Sequence, residues 1–168
     1  MLLVTKETPW VSGKVSQLDT LVSIGEEKAR ITLPHQLRIF LVLCLAEYLH
    51  DPSVVHDVFA LGLLRSPAEF GARGNMLLKR TGDVSLLWAG LYPERARRLN
   101  VCPEYFRFMS QSAYANLAAR LHAAGKVDRG KFYDEVAIRL YSLETVLYAA
   151  REREDMQSFF LRLKARYQ

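Results

Sequence analysis

Residues 81–114, TGDVSLLWAGLYPERARRLNVCPEYFRFMSQSAY, carry the periodicity that decides the fold. Val84, Leu87, Trp88 and Leu91 stand at i, i+3, i+4 and i+7, the spacing of one helical face. Asp83 reads as the N-cap of that helix and Gly82 as the end of the one before it. Pro93 stops the helix and opens a single turn through Leu99. Cys102-Pro103-Glu104 then starts a longer helix to about Ala124, with Phe106, Met109, Ala113, Leu117 and Leu121 along one stripe. Its alanines leave room for close helix packing.

The same pattern extends in both directions. Towards the C-terminus, Gly125 terminates a helix and Asp128 caps the next, on which Phe132, Val136, Leu140, Leu143, Leu147 and Ala150 form an unbroken core stripe. Asp155 can cap a last helix carrying Met156, Phe159, Phe160, Leu163 and Tyr167. Towards the N-terminus, Ser66-Pro67-Ala68-Glu69 combines a Ser cap, Pro at the first helical position and Glu at the third, which serves both orphan amide sites. Asp51-Pro52 starts a helix before it, with a wide apolar face from Val54 to Leu64. Thr32-Leu33-Pro34 opens a helix that is apolar on all sides over about residues 33–50, the signature of a buried central element. Residues 1–32 read as a partly ordered arm, with a short helix over Ser16 to Ile24 and Trp10 as its docking residue. No run alternates long enough to argue for a strand. The expectation is an all-α, single-domain bundle of six or seven helices over residues 33–168.

Composition narrows the function. Half of the 168 residues are hydrophobic and a quarter are charged, which fits one globular domain. The net charge of +5 is concentrated in residues 67–126, where nine Lys/Arg face four Asp/Glu. Cys44 lies in an apolar run and Cys102 precedes a proline, so neither reads as half of a disulfide, and a reducing compartment is expected. The longest apolar run, Ile39 to Ala46, is too short to span a bilayer, and no signal peptide opens the chain. A soluble cytoplasmic protein that meets no membrane is expected.

Two groups of side chains merit weighing as contact residues. The segment Arg95 to Met109 looks like the central part of bacterial repressor-type helix-turn-helix modules. Ala96 takes the small position of the first helix, and Asn100 the left-handed turn. Phe106 and Met109 point inward. Glu104, Arg107 and Phe108 would face the groove, with Arg97 and Arg98 near phosphates. Arg95, however, stands where such modules place an apolar residue, Pro93 shortens the first helix, and the second is too long. A connection between two bundle helices is the preferred account. The second group is Tyr133, Tyr141 and Tyr148, bordering the C-terminal core stripe. Such tyrosines either roof the core or form a self-association or partner face, where Tyr is enriched.

Catalytic signatures are sparse. Glu47-x-x-His50 has the helical spacing of a di-iron ligand pair, but His35, His56 and His122 have no Glu three residues before them. Nucleophile elbows, phosphate loops and dinucleotide fingerprints are absent from the sequence. No catalytic residue, metal ligand or cofactor is assigned.

Gly82-Asp83-Val84-Ser85-Leu86-Leu87-Trp88-Ala89-Gly90-Leu91-Tyr92-Pro93-Glu94, followed by Tyr105-Phe106 and Ser110-Gln111-Ser112-Ala113-Tyr114, resembles an uncharacterised family of bacterial all-helical proteins. Its members carry Gly-Asp-x-Ser-Leu-aromatic-x-x-Gly-aromatic-aromatic-Pro-Glu. The resemblance spans roughly residues 35–165 and implies an all-helical bacterial cytoplasmic protein, with no activity attached. The leading expectation is a non-catalytic helical interaction module that meets a protein partner or a second copy of itself. The alternatives are a nucleic-acid-binding protein using residues 93–112, through Arg95, Arg97, Arg98, Glu104 and Arg107, and a metal or small-ligand enzyme of the helical-bundle type.

Overall fold

The computed structural model describes residues 9–50 and 71–151, and these form seven helices with no strand among the described residues. They are α1 (Pro9–Ala29), α2 (His35–His50), α3 (Gly71–Leu91), α4 (Glu94–Arg98), α5 (Tyr105–Ala123), α6 (Val127–Ile138) and α7 (Leu140–Ala150). The expected helix after Asp51, the Ser66–Glu69 capping box and the last helix from Asp155 lie outside the described residues.

Three of the turns close in the same way. Arg30, Asn100 and Gly125 each take positive φ, at 55°, 55° and 73°. At each, two amides fold back onto the last turn. Ile31 donates to Glu26 and Arg30 to Glu27; Val101 donates to Ala96 and Asn100 to Arg97; Lys126 donates to Leu121 and Gly125 to His122. This is the Schellman arrangement, which satisfies carbonyls that a helix end leaves unpaired. Asn100 and Gly125 are residue types that tolerate left-handed backbone, as the sequence implies, whereas Arg30 carries a Cβ there.

The N-terminal helix runs further than Ser16–Ile24. It covers Pro9–Ala29 and packs along α7 and α2. Arg38 of α2 clasps it, donating to Asp19 Oδ1 at 3.0 Å and Glu26 Oε2 at 2.7 Å, and to Ser23 Oγ. The other Glu26 oxygen accepts the Leu33 amide at 2.7 Å, so the carboxylate caps the turn into α2. Helix α2 buries Leu37, Phe40, Leu41, Val42, Cys44, Leu45 and Tyr48, while Ile39 and Leu43 stay exposed on its outer face.

The most enclosed element is the second half of α3. From Thr81 to Leu91 every residue but Leu87 is buried. Helix α3 packs along α5 on one side and α7 on another. Gly90 permits the second contact, because a Cβ there would lie 2.5 Å from Leu147 Cβ. Helix α7 meets α1 just as closely, since a Cβ on Gly25 would lie 2.4 Å from the Val146 carbonyl oxygen. The core stripe foreseen from Phe132 to Ala150 is present, but the helix carrying it breaks at Arg139 into α6 and α7. Val136, Leu140, Leu143, Leu147 and Ala150 are all buried across that break.

Candidate functional site

Gly82 and Asp83 do not separate two helices. Helix α3 runs through them without interruption, and Asp83 is not a cap. Thr81, Asp83 and Ser85 are all buried, which only a helix held by neighbours on every side can sustain. The neighbour at Gly82 is Tyr114 of α5, whose ring would sit 2.6 Å from an added Cβ. The Gly82 carbonyl also accepts a hydrogen bond from Ser110 Oγ at 2.8 Å. The glycine is therefore a point of close approach between α3 and α5.

That approach carries the Tyr114 hydroxyl to Asp83, where it donates to Oδ1 at 2.6 Å. The Tyr48 hydroxyl donates to Oδ2 at 3.2 Å from α2, and Lys79 Nζ donates to the same oxygen at 2.6 Å from one turn earlier on α3. Lys79 also reaches Glu47 at 3.2 Å on the surface of α2. Three donors from three helices thus converge on one fully buried carboxylate. Burial lifts the Asp83 carboxyl above the ordinary range, and Lys79 and the Tyr114 hydroxyl pull it back. Burial pushes the Tyr48 and Tyr114 phenols up, and the adjacent Asp83 charge adds to both. Burial alone would lower Lys79, but Asp83 and Glu47 more than reverse that and raise it. Burial and the Asp83 charge likewise hold the Cys44 thiol well above its usual range, which makes it a poor nucleophile. The donors are consumed in tying α2, α3 and α5 together. This is a buried polar joint.

The residues singled out from the sequence fall in different places. Tyr133 is buried and stacks on Tyr114, with ring centroids 5.9 Å apart and 17° between planes. It belongs to the wall of the Asp83 joint. Tyr141 and Tyr148 lie on α7, where they are 63% and 43% exposed. Arg107 leaves the basic segment to meet them: its Nη2 donates to Glu144 Oε1 at 2.8 Å, and its guanidinium lies 4.9 Å from the Tyr141 ring centroid. Arg151 repeats the arrangement one heptad on, with its guanidinium 4.3 Å from the Tyr148 centroid and Nη1 2.9 Å from Glu94 Oε2. Arg97 and Arg98 are exposed on α4, and Glu104 is exposed ahead of α5. The Arg95 side chain lies outside the described residues, as does that of His50.

No family model, no curated protein and no solved structure matches this chain.

Two features here escape sequence reasoning. The Asp83 joint draws on Tyr48 and Tyr114, 35 and 31 positions away, and no local pattern links them. The arginine over each exposed tyrosine is equally non-local for Arg107, which comes from α5. Arg151 could have been found, because it follows Tyr148 by three positions on one helix face. No helix of the described residues is long and apolar enough to cross a membrane.

Proposed function

We propose that this protein is a non-catalytic helical module that works by contact with another protein chain, through the outer edge of α7. The observation that carries this reading is the pair Tyr141 and Tyr148, exposed one heptad apart, each beneath an arginine guanidinium. Tyrosine and arginine are the residues most enriched where protein interfaces concentrate their binding energy. Each arginine is already fixed by an ion pair, Arg107 by Glu144 and Arg151 by Glu94, so docking freezes fewer rotamers than it would for free side chains. The buried Asp83 joint supports the reading from the other side, because its polar groups are engaged with one another. Free thiols at buried Cys44 and exposed Cys102 fit a reducing compartment.

The test is a photo-reactive phenylalanine analogue placed singly at Tyr141, Tyr148, Asn116 or Arg97 in the source cell. Cross-linked protein is expected from the first two positions, with Asn116 and Arg97 as exposed controls. Equal yields at all four positions would remove the reading.

Binding of nucleic acid through residues 93–112 is the second reading, favoured by exposed Arg97 and Arg98 beside the left-handed Asn100 turn. The engagement of Arg107 with Glu144 withdraws one of its proposed groove contacts. It predicts duplex binding that weakens steeply with salt and on Arg97→Ala with Arg98→Ala.

A further inference from the structure

We draw no further inference here: the strongest candidate, the surface patch around exposed Tyr141 and Tyr148 on α7, has its neighbouring charges Glu144 and Arg151 already held by Arg107 and Glu94, and nothing in the structure shows what covers it.

Discussion

The Asp83 joint and the α7 edge are built from the same residue types and do opposite work. Both set tyrosines beside an ion pair. At the joint, Tyr48 and Tyr114 turn their hydroxyls onto a buried carboxylate and Lys79 supplies the countercharge. At the edge, Tyr141 and Tyr148 lie in solvent and hold their cations against ring faces. What separates them is the packing around them. Gly82 brings α5 onto α3 and closes the joint, whereas Tyr141 and Tyr148 stay 63% and 43% exposed on α7. A tyrosine beside a charge is therefore structural or available according to whether its hydroxyl or its ring meets the charge, and burial decides which.

Removing Asp83 should produce the largest effect. Asp83→Ala leaves two buried hydroxyls and Lys79 without their acceptor, and a loss of about 3 kcal/mol is expected in urea unfolding. A loss under 1 kcal/mol would show that the joint does not hold the helices. Gly82→Ala is next, at about 2 kcal/mol, because the methyl group meets the Tyr114 ring and the packed helices must yield. Tyr48→Phe and Tyr114→Phe keep the ring and delete one donor each, so about 1 kcal/mol apiece is expected.

The pH dependence follows from the same groups. Tyr48, Tyr114 and Lys79 are all raised in the folded protein above their unfolded values near 10. Their protonated forms therefore contribute stability that is fully present below about pH 10 and is lost as the pH climbs beyond it. Helix content followed by circular dichroism should hold to about pH 10 and fall above it. In Tyr48→Phe, Tyr114→Phe protein, that fall should be shallower. An unchanged alkaline transition in the double variant would assign it to other groups.

The smallest changes are expected at the surface. Tyr141→Ala with Tyr148→Ala exchanges two cation–π contacts for better helix formers, so stability should shift by no more than about 0.5 kcal/mol. Arg30→Gly removes a Cβ from a left-handed position and should stabilise by a similar amount.

How much of this was legible in the sequence depended on the range of the interaction. Helix periodicity is local, so the stripes on α5, α6 and α7 and the stops at Asn100 and Gly125 could be read directly. Gly82 has the same local signature as a helix end, and Asp83 that of a cap. Their true roles depend on Tyr114 and Tyr48, which only the folded chain brings near. Gly25 stands just past the expected helix end at Ile24, yet it lies inside α1, where it faces Val146. The break at Arg139 was hidden because the core stripe keeps its phase across it. The tyrosine row was legible as a row. That break and the packing of α5 divide it, sending Tyr133 into the core and leaving Tyr141 and Tyr148 outside.

The division of labour is tested most directly by urea unfolding of two variants side by side, Asp83→Ala and Tyr141→Ala with Tyr148→Ala, at concentrations too low for self-association. The expected result is a large fall in midpoint for the first and a midpoint within error of the parent for the second. Equal destabilisation in the two would contradict it, and would return the α7 tyrosines to the structural framework.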